Sequence, residues 1–198
     1  MSFFKQIRPP SAAMRLYGKI MRQHKQIQKA IKPPCDIFIN HRGIDTKRTI
    51  SGLLYDHLFR LGLRPFLDSK NLQPGDGLFD NINKAIHDCK VGVAVFSPRY
   101  CDSYFCLHEL ALIMETKKKV IPIFCDIKPS QLHVKDNGGY PKSELQRLIY
   151  ALEEAKYTVG LTFNTDKGNW SEFLTTTTDA IMKNLIGMDH EEIRRTRR

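Results

Sequence analysis

Several features that define common protein classes are missing from this chain of 198 residues. No apolar run approaches the roughly 20 residues that a membrane-spanning helix requires, and no secretory signal stands near the N-terminus. The five cysteines are an odd number without paired CxxC spacing, which argues against a disulfide framework or a zinc site and predicts a reducing compartment. We therefore expect a cytoplasmic protein, with nuclear or organellar targeting by a basic leader as the alternatives.

The short motifs of the common enzyme classes are also absent. The loop around Gly75 and Gly77 has no third glycine for a dinucleotide fingerprint, and no GKS or GKT marks a phosphate loop. His108 and Glu109 are not followed by the second histidine of the HExxH zinc pattern, and no GxSxG marks a hydrolase serine. We therefore predict no metal site and no resident cofactor.

The positive charge is concentrated at the N-terminus. The chain has a net charge of +10, and residues 1–33 contribute eight Lys or Arg and no acid. Residues 34–187 carry 19 basic and 18 acidic groups, so a nucleic-acid-binding face is not expected. We predict a basic leader at 1–33, a domain at 34–187 and a charged tail at 188–198. The leader is predicted to be disordered or an amphipathic helix, and a helix would suit a membrane or other anionic surface, organellar import, or oligomerisation.

Apolar runs and amphipathic segments alternate from residue 35 onward. The run at 91–96 is continuously apolar, as is typical of a strand buried on both faces. Five strands are predicted, at 36–39, 64–67, 91–96, 120–124 and 158–163. Five helices are predicted, at 46–60, 78–89, 104–114, 144–155 and 171–186. Five β/α units predict an α/β fold, an open parallel sheet with helices on both faces.

Glu109 is the only acid in the segment 104–114. At helical spacing its neighbours are all apolar, namely Phe105, Cys106, Leu112 and Ile113. A carboxylate on an apolar face costs free energy, so we treat Glu109 as a candidate site residue, with a paired or snorkelling structural glutamate as the alternative. Ligands of doubly wound sheets bind beyond the carboxyl ends of the strands, where Arg42, the loop 74–77, Phe105 and Glu109 would meet. Such a cleft suits a nucleotide whose phosphates contact Arg42 and whose ribose meets the carboxylate.

The order of several segments resembles a stand-alone Toll/interleukin-1 receptor (TIR) domain of the plant type. The matching segments are 35–46, 66–69, 72–77, 95–100, 106–110 and 120–124, and Trp170 opens the last helix as in many plant members. The resemblance covers about residues 34–187 and implies a flavodoxin-like, five-stranded parallel sheet. It also implies an NAD+ nucleosidase that releases nicotinamide and forms ADP-ribose or cyclic products. Activation would come from self-association into a homo-oligomer in plant immune and cell-death signalling.

The resemblance also implies roles for particular residues. Glu109 falls on the family's catalytic glutamate, and Phe105 takes the place of an aromatic residue that stacks on the substrate. Gly75 lies in the loop that gates the site. The loop that contacts NAD+ contains His41, Arg42, Gly43, Ile44 and Asp45. NAD+ is in this interpretation a substrate, and no cofactor is required.

Some positions depart from the family's pattern. Asn40 and His41 replace a serine-phenylalanine pair, Ile44 replaces an acid, and Gly52 with Leu53 replaces the serine-histidine pair through which many plant members associate. We therefore keep two alternatives to the nucleosidase. One is a catalytically silent scaffold that acts through TIR–TIR contacts. The other is a nucleic-acid-dependent nuclease or cyclic-nucleotide synthetase.

Overall fold

The structure is a computed structural model that describes residues 35–136 and 138–196. The leader predicted at 1–33 lies outside the described residues. The strands are β1 (Ile37–His41), β2 (Pro65–Phe66), β3 (Val91–Phe96), β4 (Lys119–Cys125) and β5 (Leu161–Phe163). The α-helices are α1 (Gly43–Thr46), α2 (Ile50–Arg60), α3 (Asp68–Asn71), α4 (Leu78–Asp88), α5 (Tyr104–Glu115), α6 (Lys142–Tyr157) and α7 (Trp170–Thr196). Short 3-10 turns cover Tyr100–Asp102 and Pro129–Gln131.

The strands form one parallel sheet in the order β2-β1-β3-β4-β5. This confirms the predicted fold class. The connection from β1 to β2 moves to one side of β1, and β3 then returns to its other side. A crevice opens at the carboxyl edge of a sheet where the strand order reverses in this way, so the topology places a ligand site beyond the end of β1.

Both faces of the sheet are covered because the central strands are apolar at successive positions. On β1, Ile37 and Ile39 belong to the core that α2 and α7 cover. Phe38, on the opposite face, packs in a cluster with residues of α4 and α5. Side chains alternate along a strand, so Asn40 shares the face of Phe38 and is directed toward the helix that carries Glu109.

Two local features position α5 over the sheet. Ser103 caps the helix, and its hydroxyl accepts a hydrogen bond from the backbone N–H of Cys106 at 3.4 Å. Gly92 of β3 allows close approach, since a Cβ atom at this position would lie only 2.7 Å from Cγ2 of Ile113. The helix therefore packs directly against the strand, with Glu109 near the carboxyl end of the sheet.

The prediction of one helix at 46–60 was wrong at its start. The chain forms the short α1, leaves helical geometry at Thr49 (φ −121°, ψ −112°), and begins α2 at Ile50. The hydroxyl of Thr46 donates to the carbonyl oxygen of Arg42 at 3.1 Å and accepts a hydrogen bond from Ser51 at 3.0 Å. These side-chain bonds compete with continuous helix formation.

At its other end, the last helix extends beyond the predicted end at 186 to Thr196, through most of the segment predicted as a tail. Within the described ranges, none of the helices is both long enough and apolar enough to cross a bilayer. All five cysteines lie in the described part of the chain and are free thiols.

Candidate active site

A pocket of about 740 Å³ lies beyond the carboxyl end of β1. This volume is within the range of about 300–1,000 Å³ that is usual for ligand sites. Seven of the predicted site residues line it, namely His41, Arg42, Gly43, Ile44, Asp45, Phe105 and Glu109. Other lining residues, for which we predicted no role from the sequence, are Lys47, Arg48, Thr49, Asp68, Leu78, Ile82, Ser103 and Cys106. The structure thus brings together the loop after β1, the start of α4 and the first turns of α5.

Gly75 is the predicted site residue that does not line this pocket within the described chain. It lies in the turn before α4 with φ of +95°, a conformation that favours glycine. Asp76 closes the turn, because its carboxylate accepts a hydrogen bond from the backbone N–H of Gln73 at 3.0 Å. A role for Gly75 in gating stays a prediction.

Glu109 is a partly buried carboxylate on the pocket wall. Oε2 accepts a hydrogen bond from Nδ2 of Asn40 at 2.9 Å. Burial raises the pKa of Glu109 from its ordinary value of 4.5 to about 8, the Asn40 bond opposes this rise, and the negative charge of Asp68 adds to it. The carboxyl group therefore titrates near neutral pH. A bound positive charge would favour its ionised form.

His41 and Arg42 each have a buried nitrogen without a hydrogen-bond partner in the described structure, Nε2 of His41 and Nε of Arg42. Nε2 of His41 lies 3.9 Å from Oδ1 of Asp68, too far for a hydrogen bond. Burial lowers the pKa of His41 despite the opposing effect of Asp68, so the imidazole is neutral at pH 7. Buried polar groups are normally paired, so both nitrogens are candidates to bind a polar ligand.

The carboxylate of Asp45 is already hydrogen-bonded to residues that follow β3. Its carboxylate accepts hydrogen bonds from the hydroxyl of Ser97 at 2.7 Å, the backbone N–H of Arg99 at 3.0 Å and Nε of Arg99 at 2.6 Å. Burial alone would raise the pKa of Asp45, but these hydrogen bonds outweigh it and lower the pKa. Asp45 thus ties the loop after β1 to the loop after β3, and its position in the pocket wall is fixed.

Three cations line the pocket. Lys47 and Arg48 follow α1 and join Arg42 in lining it. Their signal in the sequence was two consecutive bases directly after the segment 35–46, to which we assigned no role. Guanidinium and ammonium groups in one pocket suit a ligand with several phosphate oxygens.

Exposed apolar side chains also line the pocket. The Phe105 side chain is 49% exposed, and its ring centroid lies 5.6 Å from that of Phe79. Ile44 and Leu78 are also exposed beside it. An exposed aromatic face next to a pocket can stack on the flat ring of a ligand. The site therefore combines a stacking surface, a carboxylate and cations, the groups that a dinucleotide requires.

These features define a doubly wound α/β domain whose pocket at the strand-order reversal suits a nucleotide. Residues 35–188 match the TIR domain family, and the chain belongs to that family. It is 48% identical over 165 residues to a protein of Brachypodium distachyon named probable 2′ cyclic ADP-D-ribose synthase BdTIR, covering 81% of this chain and 74% of that protein.

Other relatives are plant resistance proteins. TMV resistance protein N of Nicotiana glutinosa is 34% identical over 148 residues, which are 67% of this chain but only 13% of that protein. Among solved structures, the TIR domains of the activated Roq1 resistosome, which recognises the pathogen effector XopQ, superpose with a TM-score of 0.66 at 29% identity. That match covers 74% of this chain and 99% of the other. The chain is thus a TIR domain with plant relatives, as the order of its segments predicted.

Proposed function

We propose that this chain is an NAD+ nucleosidase that cleaves the bond between nicotinamide and ribose. The observation that carries the proposal is the Glu109 carboxylate, bound by Asn40 on the wall of a pocket of about 740 Å³ that also offers an aromatic face and cations. Support comes from the relative at 48% identity, whose name assigns it the synthesis of a cyclic ADP-ribose.

Different pocket residues would contact different parts of the substrate. The cations Arg42, Lys47 and Arg48 would hold the diphosphate, and Phe105 would stack on a heteroaromatic ring. The ribose that carries nicotinamide would then lie against Glu109. Of these groups, Lys47, Arg48 and Phe105 are exposed, and Nε of Arg42 has no hydrogen-bond partner within the described residues.

Cleavage requires little acid catalysis. The C1′–N bond breaks, its electron pair leaves with the nicotinamide ring, and the cationic ring departs as a neutral molecule. The ribose becomes oxocarbenium-like, and an ionised Glu109 stabilises this positive charge. Because the pKa of Glu109 is raised to about 8, the positive nicotinamide ring of bound NAD+ would help to ionise it.

The second step decides the product. Attack of water on C1′ gives ADP-ribose, whereas attack of a hydroxyl of the adenosine ribose gives a cyclic product. The attacking oxygen loses one proton in both cases. A carboxylate with a pKa near neutral pH is a suitable acceptor for it, so Glu109 would serve in this step as a base. We propose that NAD+ is consumed as substrate and that no metal or further cofactor is needed, since the leaving group departs neutral.

Self-association is the second part of the proposal. The apolar rim of Ile44, Leu78, Phe79 and Phe105 is exposed, and a second copy would complete the pocket by covering it. The resistance proteins and the Roq1 resistosome among the relatives support an assembled state in plant defence. We further propose that this assembly acts in the cytoplasm and in cell death.

The test is nicotinamide release from NAD+ by purified protein at several protein concentrations. Glu109→Gln removes the charge with little change of shape. Glu115→Gln is the matched control, since it makes the same change on the same helix at an exposed carboxylate paired with Arg147. We expect release that rises faster than linearly with protein concentration, is abolished in Glu109→Gln, is retained in Glu115→Gln, and is insensitive to EDTA.

The exposed apolar side chains of α2, Leu53 and Phe59, favour the scaffold as a second candidate. Self-association without nicotinamide release at the highest protein concentration would support the scaffold and reject the nucleosidase. An enzymatic turnover rate that depends on added double-stranded nucleic acid would instead support the nuclease or cyclic-nucleotide synthetase. Each outcome separates one function from the other two.

A further inference from the structure

Asn40 connects Glu109 to the interior of the domain. Its side chain is fully buried at the end of β1. Nδ2 donates two hydrogen bonds, one to Oε2 of Glu109 at 2.9 Å and one to the backbone carbonyl of Cys106 at 3.1 Å. The two N–H bonds of the amide are therefore both used, and both acceptors belong to α5.

Tyr100 supports the other end of the same amide. Its hydroxyl donates to Oδ1 of Asn40, and the same hydroxyl oxygen lies 3.1 Å from the backbone carbonyl oxygen of Cys106. The Tyr100 side chain is fully buried in the 3-10 turn after β3, and its ring packs edge-on against Phe96 with centroids 4.7 Å apart. A buried ring in close contact cannot easily rotate, so the position of the hydroxyl is fixed by the core.

The Cys106 carbonyl and the Tyr100 hydroxyl together set the orientation of the amide. If the Asn40 amide were reversed, its oxygen would face the Glu109 carboxyl group and the Cys106 carbonyl, and its nitrogen would face the hydroxyl. The Cys106 carbonyl oxygen, which can only accept, would then face the amide oxygen without this donor, at a cost typical of buried unpaired polar groups. The carbonyl and the tyrosine hydroxyl thus together determine that a donor, rather than an acceptor, points at Glu109.

Several charged or titratable groups surround this carboxylate. Asp68 of α3 and Arg42 of the loop after β1 line the same pocket, as do His41 and the thiol of Cys106. Burial raises the pKa of Cys106 to about 12, so the thiol stays protonated, and it donates to the carbonyl oxygen of His41 at 3.2 Å. Asn40 differs from all of these groups because it makes a direct, short hydrogen bond to the carboxylate.

We propose that Tyr100 and Asn40 form a positioning relay for Glu109, in which the buried hydroxyl orients the amide and the amide fixes the carboxylate against the ribose site. This inference rests on the proposed nucleosidase function for its consequence in catalysis. Neither residue contacts the substrate in this scheme. Both act through Glu109, and loss of the relay leaves the carboxyl group present but unrestrained.

The kinetic test compares Tyr100→Phe, which removes only the hydroxyl, with Tyr104→Phe. The hydroxyl of Tyr104 bonds to Glu144 of α6, outside the relay, so this control makes the same chemical change on a neighbouring residue. We expect Tyr100→Phe to lower kcat about tenfold with KM for NAD+ changed less than about twofold, as for loss of one oriented hydrogen bond. Tyr104→Phe should retain the wild-type kcat.

A second readout does not depend on catalysis. NMR titration of protein labelled with 13C at the glutamate carboxyl carbons reports the pKa of Glu109 directly, with the signal assigned by its loss in Glu109→Gln. Removal of a donor to the charged form raises the pKa of an acid, so Asn40→Leu and, to a smaller extent, Tyr100→Phe should raise that of Glu109. We expect a rise of about one pH unit for Asn40→Leu, equivalent to about tenfold in the ionisation constant.

The outcomes separate the two proposals. Wild-type protein that titrates as expected but releases no nicotinamide would reject the nucleosidase and retain the relay. A folded Tyr100→Phe protein with wild-type kcat and an unchanged Glu109 titration would overturn the relay. Reduced stability of Tyr100→Phe with unchanged kcat per folded molecule would also overturn it, because Tyr100 would then be a core residue only.

Discussion

Replacement of Glu109 by glutamine should stabilise the folded protein, and the gain should grow with pH. Burial raises the pKa of Glu109 from 4.5 to about 8, so between these values the folded state holds a proton that the unfolded state has released. Wild-type stability must then fall as pH rises through this interval. Glutamine does not titrate, so the Glu109→Gln protein does not lose this stability as pH rises.

The size of the effect follows from the same two values. Below pH 4.5 Glu109 is protonated in both the folded and the unfolded wild type, so the gain in stability from Glu109→Gln vanishes. Above about pH 8 Glu109 is ionised in both states, and the gain is constant. Between these pH values the gain in the free energy of unfolding grows by about 1.4 kcal/mol per pH unit, which gives about 3 kcal/mol between pH 4.5 and pH 7. Water in the open pocket reduces the cost of ionisation, so this is the upper end of the expected gain. It corresponds to a difference in Tm of roughly 10 °C for a domain of this size.

The assay is urea unfolding of wild type, Glu109→Gln and Glu115→Gln from pH 4.5 to pH 8, followed by circular dichroism. Other titrating groups contribute equally to wild type and variant and cancel in the difference. Glu115 has a lowered pKa through its bond with Arg147, so its substitution should give no gain that increases with pH. A difference in the free energy of unfolding between Glu109→Gln and wild type that stays constant across this range would show that burial does not raise the pKa of Glu109.

Three further predictions concern the pocket and its support. Phe105→Ala should raise KM for NAD+ about tenfold in steady-state kinetics and Phe105→Trp should not, and an unchanged KM in the alanine variant would argue against stacking. Arg48→Gln should raise KM for NAD+ about fivefold and reduce the dependence of this KM on salt. The control Arg60→Gln, at an exposed position at the end of α2, should do neither. Equal effects of the two substitutions would exclude a local contact of Arg48 with phosphate. Asp45→Asn should cost about 1–2 kcal/mol of stability at pH 7 in urea unfolding. Since hydrogen bonds lower the pKa of Asp45 below its ordinary value of 3.8 despite its burial, this cost should be constant above that value and should decrease as pH falls below it, through the lowered pKa of the folded state. A cost that does not decrease with falling pH would contradict the assignment.

Much of the fold could be predicted because the sheet has a strong sequence signal. The run 91–96 is apolar at every position, as a strand covered on both faces requires, and all of its residues are buried. The break between α1 and α2 had no such signal. It depends on hydrogen bonds of Thr46 with Arg42 and Ser51, and a threonine in a helical pattern does not reveal which partner it will find.

The site was predictable where it depends on local pattern. Glu109 stood out because an acid on an apolar helix face is rare, and the structure places it in a pocket. Asn40 was missed as its partner because the two residues are 69 positions apart, and only the packing of α5 on β1 brings them together. Lys47 and Arg48 were missed for a related reason, since their place in the wall depends on the unpredicted turn after α1.

The most direct test of the central claim is chromatographic analysis of NAD+ incubated with concentrated purified protein. We expect one nicotinamide for each ADP-ribose or cyclic ADP-ribose formed, with both products absent for Glu109→Gln and present for Glu115→Gln. Nicotinamide release by the Glu109→Gln protein at the wild-type rate would contradict it, because the carboxylate in the pocket would then have no part in breaking the bond.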